Sequence, residues 1–253
     1  MDQVPRTALV TGAGKRVGRA LALALARDGH DVAVHCHRSR AEAEEVAGLV
    51  RAAGRRAVVL GADLSREIEA AALVPAAAEA LGPLGVLVNN ASVFRLDRLA
   101  TADRASWDAH LETNLRAPVV LMREFVRHLP DGAGGAVVNV LDQRVGNLTP
   151  NFLSYSVSRL GLWGATQVLA RELAPRVRVN AIGPGPTLSA PGMDEARFRA
   201  IVAATPLRRG PTPGELGEAL LFVLRMPAMT GQMVTVDGGQ QLGWLTPAAP
   251  DIE

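Results

Sequence analysis

A chain of 253 residues with 48% hydrophobic content and a formal net charge of only +2 can bury one large core but offers no concentrated basic stripe. Its scattered charges argue against a nucleic-acid groove, and the lack of an uncharged apolar run of about 18–20 residues argues against a membrane span. The single cysteine, Cys36, excludes an internal disulfide and fits a reducing, cytoplasmic compartment, and residues 1–5 show no leader pattern.

The first predicted strand, 7–11, runs into Gly12-Ala13-Gly14-Lys15-Arg16-Val17-Gly18 and an alanine- and leucine-rich helix over 17–27, stopped at Asp28-Gly29. A second strand over 31–35 leads through His37-Arg38-Ser39 to a helix over 40–53, capped by Gly54. Strand three, 57–61, is followed by Asp63-Leu64-Ser65, with Ser65 the expected N-cap of the next helix. Strand four, 86–90, precedes a loop and a helix over 103–127, in which Pro118 marks a kink or a break. Strand five, 136–141, ends at Asp142, and its helix runs over 155–173. Strand six, 178–182, ends in Gly183-Pro184-Gly185-Pro186, and the Pro- and Gly-rich stretch 187–210 reads as a substrate lid with one short helix over 195–204. A helix over 213–225 and a strand over 233–236 close the pattern, ahead of a tail over 240–253. Strand–helix alternation without a compositional break predicts one α/β domain over 1–253, a doubly wound parallel sheet of about seven strands with helices on both faces. In such sheets ligands sit beyond the carboxyl ends of the strands, where strand order reverses.

Two stretches at those ends carry chemistry. Tyr155 and Arg159, four residues apart on a predicted helix, share one face a turn apart, and Asp142 at the end of a buried strand is placed to converge with them. Proton donation by Tyr155 near neutrality asks its ordinary pKa of about 10 to fall by about 3, and the cation supplies part of that. The plainer alternative is a solvated Arg beside a half-buried Tyr. Gly12, Gly14 and Gly18 permit a tight turn and close approach of a pyrophosphate to a helix N-terminus. Val17 takes the place of the third glycine in G-x-G-x-x-G, so a plain turn stays open.

Thr11-Gly12-x-x-x-Arg16-Val17-Gly18, Asn89-Asn90-Ala91, Asn114, Tyr155-x-x-x-Arg159, Pro184-Gly185 and Val236-Asp237-Gly238-Gly239 follow one another in the order and spacing of the short-chain dehydrogenases/reductases. The chain resembles that family over nearly its whole length. The resemblance implies a Rossmann-type fold, a nicotinamide-dependent oxidoreductase with a small-molecule substrate, and a homo-oligomer, usually a tetramer. It also implies Tyr155 as acid/base, Asp63 and Leu64 beside the adenine, Asn90, Ala91 and Ser92 along the cofactor path, Pro184, Gly185 and Thr187 on its other side, and Asn114 supporting a proton-relay water.

Three positions depart from the family pattern. Arg16 stands where the middle glycine is usual, Asp142 where serine is usual, and Arg159 in place of lysine. The first two, with His35-Cys36-His37-Arg38-Ser39 and Asn90-Ala91-Ser92-Val93-Phe94, resemble the pteridine reductase branch. That implies Phe94 stacking a pterin against the nicotinamide, Asp142 partnering Tyr155, and Arg16 and Ser92 beside the substrate. On physical grounds a loop aromatic after strand four either packs on a flat ligand or is buried under its own loop. Asp142 either holds a proton for transfer to a polar heterocycle or forms a salt bridge with Arg144 or Arg159.

Cofactor choice follows from strand two. NAD sites place an acid there for the ribose 2′-OH, whereas this segment has none before Glu42. Arg38 and Ser39, next to His37 and with Arg16 nearby, suit a 2′-phosphate, so the cofactor is expected to be NADP(H). His35 and His37 lack further ligands in view, and no metal is expected. The sequence thus reads as an NADPH-dependent reductase of a dihydropterin. The alternatives are a carbonyl reductase acting on a 3-oxoacyl thioester or small ketone, and an NADP(H)-binding regulator that has lost efficient catalysis.

Overall fold

The computed structural model describes residues 4–190 and 192–243. The first three residues of the expected leaderless N-terminus, residue 191 of the expected lid, and the expected tail from 244 onward lie outside the described residues. Strands β1 (Thr7–Val10), β2 (Asp31–Cys36), β3 (Ala57–Gly61), β4 (Val86–Asn89), β5 (Gly135–Val140), β6 (Val177–Pro184) and β7 (Met233–Val236) form one seven-stranded sheet. Its order is β3-β2-β1-β4-β5-β6-β7, and every neighbouring pair is parallel. β1, β2, β4 and β5 are buried along their whole length, which is why they read as unbroken apolar runs rather than alternations. Strand order reverses between β1 and β4, which places a crevice at their carboxyl ends.

Helices α1 (Arg16–Arg27), α2 (Arg40–Ala52) and α8 (Pro213–Arg225) cover one face through residues such as Leu21, Leu25, Val46, Leu216 and Leu220. Helices α3 (Glu67–Leu81), α5 (Ala117–His128) and α6 (Leu153–Glu172) cover the other through Leu73, Leu121, Phe125 and Leu162. The two short helices α4 (Arg104–Leu111) and α7 (Glu195–Ala203) lie beside the crevice segments. No helix among the described residues is long and apolar enough to cross a membrane.

Three boundaries differ from the sequence expectation. The single helix over 103–127 is α4, a π-helical stretch Glu112–Arg116, and α5. Pro118 offers no N–H to the Asn114 carbonyl and crowds it, and the Ala117 N–H bonds five residues back to Glu112 instead. Ser65 is not an N-cap: its N–H at 3.0 Å and hydroxyl at 2.7 Å both donate to Asp63 Oδ1, and Arg66 takes the cap position without a side-chain bond. Finally, α6 begins at Leu153, which sets Tyr155 within its first turn, against the carboxyl end of β5.

Candidate active site

A cleft of about 1820 Å³ runs along the carboxyl ends of β1, β2, β4, β5 and β6 and is closed on one side by the segment from Pro184 to Ala204. Pockets for one small ligand span about 300–1,000 Å³, so this cleft has room for an extended ligand and a second one beside it.

One end is built by the glycine turn. Gly12 has φ +62°, and its N–H donates to His35 Nδ1 at 3.1 Å. His35 Nε2 donates in turn to the Ala62 carbonyl at 3.1 Å. Burial pushes the His35 pKa down to about 4, so the ring is neutral with both nitrogens engaged inside the fold. Among the described residues no group of three or more His, Cys, Asp or Glu could hold a metal ion. Thr11 Oγ1 accepts the N–H groups of Asn90 at 2.9 Å and Ala91 at 3.0 Å, while Asn90 Nδ2 donates to the carbonyls of Thr11 at 2.8 Å and Gly12 at 3.2 Å. These bonds stitch β1 to β4 at the switch point. A Cβ at Gly18 would stand 2.2 Å from the Gly12 carbonyl oxygen, so only glycine lets α1 start this close to the turn. Gly14 packs against Ser39, and Val17 lines the cleft.

At the end of β2, His37 and Arg38 are exposed, and His37 Nε2 lies 3.8 Å from Asp63 Oδ2. Leu64 lines the cleft beside them. Glu42 is turned to Lys15 at 2.5 Å, which leaves the positive and hydroxyl groups of Arg38 and Ser39 at the strand end. Arg16 departs from the expectation that it joins them. With φ +53° its guanidinium reaches the opposite wall, donating to the carbonyls of Leu188 at 3.0 Å and Ser189 at 2.8 Å. A left-handed backbone at the start of α1 aims this side chain across the cleft rather than along β2. Behind that wall Gly185 N–H donates to Val236 at 3.0 Å, and Thr187 Oγ1 donates to the Gly185 carbonyl at 3.0 Å. Pro184, Gly185 and Thr187 all line the cleft.

The centre holds the converging triad. Tyr155 Oη donates to Asp142 Oδ2 at 2.8 Å, and Asp142 Oδ1 accepts the Arg144 N–H at 2.9 Å, with Arg144 Nη1 3.9 Å away. The Arg159 guanidinium lies 5.2 Å above the Tyr155 ring. Tyr155 and Arg159 are 4% and 3% exposed, which removes the alternative of a solvated Arg beside a half-buried phenol. Arg159 Nε is buried without a hydrogen-bond partner. The proton affinity of Tyr155 runs opposite to expectation. Burial and then the Asp142 carboxylate push its pKa up, and Arg159 opposes them without prevailing. Tyr155 therefore keeps its proton throughout ordinary pH.

The other end of the cleft is aromatic. Phe94 is 40% exposed, not buried under its loop. It stacks on Phe152 with centroids 4.4 Å apart and meets Tyr155 edge-on at 4.7 Å. The Arg144 guanidinium lies 5.0 Å over Phe152 and 5.8 Å over Phe94. Ser92 lines the cleft one turn of loop away and donates its hydroxyl to the Val93 carbonyl at 3.1 Å. Asn114, fully buried in the π-helical stretch, accepts the Val93 N–H at 2.8 Å and donates to the Val93 carbonyl at 2.9 Å and to Ser158 Oγ at 3.2 Å. It braces the loop that carries Phe94.

Thr11, His35, Phe152 and Arg144 were missed as site residues by sequence reasoning. The scarcity of aromatics in a chain with only five phenylalanines was the available signal for Phe152, three residues before Tyr155. Its left-handed backbone, φ +59°, has no sequence signature.

This arrangement is that of the short chain dehydrogenases: the family's model matches residues 6–199, and the chain belongs to that family of oxidoreductases. Among solved structures, FolM alternative dihydrofolate reductase 1 from Brucella suis, in complex with NADP, is 43% identical with a TM-score of 0.91, over 95% of this chain and 97% of that one. A short chain dehydrogenase from Burkholderia cenocepacia, also in complex with NADP, is 34% identical with a TM-score of 0.87, over 94% and 98% of the two chains. Among curated relatives, the granaticin polyketide synthase putative ketoacyl reductase 2 of Streptomyces violaceoruber is 36% identical over 243 residues, 93% of this chain and 96% of its own.

Proposed function

We propose that the protein is an NADPH-dependent reductase of a pterin ring, a dihydropterin being the substrate class. The observation that carries this reading is the Tyr155–Asp142 hydrogen bond at 2.8 Å, made by a phenol whose ring meets the exposed ring of Phe94 edge-on. A carboxylate bonded to the phenol, where a carbonyl reductase needs only a hydroxyl, suits a polar heterocycle that takes up a proton at nitrogen. The 43% identity to an alternative dihydrofolate reductase supports the same class.

The residues present fit the dinucleotide. The Gly12 turn and the start of α1 suit its pyrophosphate, and the strand end with Arg38, Ser39 and His37 but no free acid suits a 2′-phosphate. Asp63 and Leu64 would flank the adenine. Asn90, Ala91, Ser92, Pro184, Gly185 and Thr187 would line its path. The buried Arg159 Nε, without a protein partner, is a donor left for a ribose hydroxyl. When bound, the cofactor supplies a hydride. Tyr155, protonated at its Oη, would give the single proton that the substrate nitrogen takes up beside the hydride, and Asp142, accepting the phenol's hydrogen bond, holds that phenol in line. Arg159 opposes the build-up of negative charge on the phenol as its proton leaves. Phe94 offers a flat apolar face to the ring, Arg16 and Ser92 polar groups to its edges.

An NADPH-oxidation screen over dihydropterins, quinonoid dihydropterins and β-ketothioesters tests the reading. Turnover confined to the dihydropterins is expected. Turnover of β-ketothioesters alone would replace it with ketoacyl reduction, as in the polyketide relative, and NADPH binding without turnover would make the protein a cofactor-binding regulator.

A further inference from the structure

The loop after β4 belongs to no helix or strand over residues 92–98, yet it presents Phe94 to the cleft in a set position. Side chains from elsewhere hold it at alternate residues. Asn114 grips Val93 at both its N–H and its carbonyl. The Arg95 N–H donates to His110 Nε2 at 3.2 Å. The Asp97 carboxylate accepts the Ser154 N–H at 3.1 Å, the Ser106 hydroxyl at 2.7 Å and the Ser154 hydroxyl. Between these anchors Phe94 and Leu96 remain 40% and 55% exposed and line the cleft.

His110 is the hinge of this arrangement. It is fully buried, as is Ser154, and Asp97 is 2% exposed. Because Nε2 accepts from Arg95, the ring proton sits on Nδ1 and is donated to Ser154 Oγ at 2.6 Å. The Ser154 hydroxyl then donates to Asp97. Asp97 thereby caps α6, whose own N-cap residue, Phe152, makes no side-chain cap bond. Tyr155 follows Ser154 directly, and the His110 ring meets it edge-on at 5.9 Å. One buried chain of bonds therefore fixes the aromatic face and the phenol relative to each other. Burial holds the His110 pKa below its ordinary value, which keeps the Nε2 lone pair available to Arg95.

We propose that His110 is a positioning residue for substrate binding, holding the 92–98 strap so that Phe94 faces Tyr155. The kinetic part of this inference rests on the reading that the substrate lies against Phe94; the structural part does not. The test compares hydrogen–deuterium exchange of the 92–98 segment and steady-state kinetics with a 7,8-dihydropterin in the full chain. In His110→Leu the strap should exchange about tenfold faster and KM should rise about tenfold, the cost of one buried donor left unpaired, with kcat and NADPH affinity within about threefold of the parent. His110→Gln, which keeps an acceptor within reach of the Arg95 N–H, should recover most of both losses. His110→Asn, too short to reach it, should not. Should His110→Leu fail to fold, the Gln and Asn pair decides. Equal strap exchange in those two variants, or parent-like exchange in His110→Leu, overturns the proposal. A parent that reduces no dihydropterin would sink the pterin reading and leave the exchange comparison to decide the strap.

Discussion

Removing the charge at position 142 tests the proton path directly. Tyr155 donates to Asp142 at 2.8 Å, and a full negative charge at that separation favours the protonated phenol by about 6 kcal/mol at an effective dielectric constant of about 20. The Asp142 side chain keeps 17% of its surface in solvent, and hydration lowers the working figure to about 3–4 kcal/mol, equivalent to about 2–3 pH units. Arg159, 5.2 Å over the ring, acts with the opposite sign and stays in place in Asp142→Asn. In the parent the phenol is protonated across the assay range, so kcat/KM for reduction shows no basic limb from Tyr155 below about pH 10. Reduction consumes the phenol proton, so activity falls as pH rises through the Tyr155 pKa. Asp142→Asn lowers that pKa by about 2–3 pH units while burial, the larger cause, still holds it up, so the limb opens only at the alkaline end of the range. At neutral pH the lost carboxylate also lowers kcat by about 10–100-fold. The assay is NADPH oxidation at subsaturating dihydropterin, which reads kcat/KM, from about pH 6 to 11, with Tyr155→Phe as the control that abolishes the limb. Parent and Asp142→Asn profiles of identical shape would refute the assignment of Asp142 as the group that holds the phenol proton.

Cofactor preference should be NADPH over NADH by at least about tenfold in kcat/KM, about 1.4 kcal/mol, and Arg38→Asp should erase or invert it; equal use of both cofactors by the parent would remove the 2′-phosphate argument. Phe94→Ala should lower kcat/KM for a dihydropterin by about 1–3 kcal/mol while leaving NADPH affinity unchanged, measured by fluorescence titration; a matching loss of NADPH affinity would show that the ring supports the cofactor end instead. Arg159→Lys should keep or raise kcat, because an ammonium is a more compact charge over the phenol ring, and Arg159→Ala should cost at least about 10²-fold; activity untouched by the alanine variant would remove Arg159 from the site. His35 has a folded pKa of about 4 against an unfolded value near 6.5, so its contribution is complete above about pH 6.5 and is lost as pH falls toward 4. That amounts to about 3 kcal/mol, and urea unfolding of the parent and His35→Gln from pH 4.5 to 7.5 should show the parent's steeper acid loss.

The parts of this molecule legible in its sequence are those fixed by short-range periodicity. Buried parallel strands announce themselves as apolar runs, and a four-residue spacing on a helix puts Tyr155 and Arg159 on one face whatever surrounds them. The Gly12 turn, the lack of a free acid after β2 and the meeting of Asp142 with Tyr155 follow from the same local rules and from the common end of a parallel sheet. What the sequence left hidden depends on contacts between distant residues. Arg16 reaches Leu188 and Ser189 across more than half the chain, and the Ser65 hydroxyl donates to the Asp63 carboxylate instead of capping a helix, a competition that propensity does not weigh. The sign of the Tyr155 shift is the sharpest case. Spacing supplies a cation one turn away and so argues for an acidic phenol, but the depth of the ring is set by residues such as Phe94 and His110, which arrive from the loop after β4 and from α4. Charge proximity is a local property and depth is a global one; in this site depth, reinforced by Asp142, decides. A phenol so placed is a weaker acid than a free one, but it stays protonated across ordinary pH and so always carries the proton that a reduction consumes.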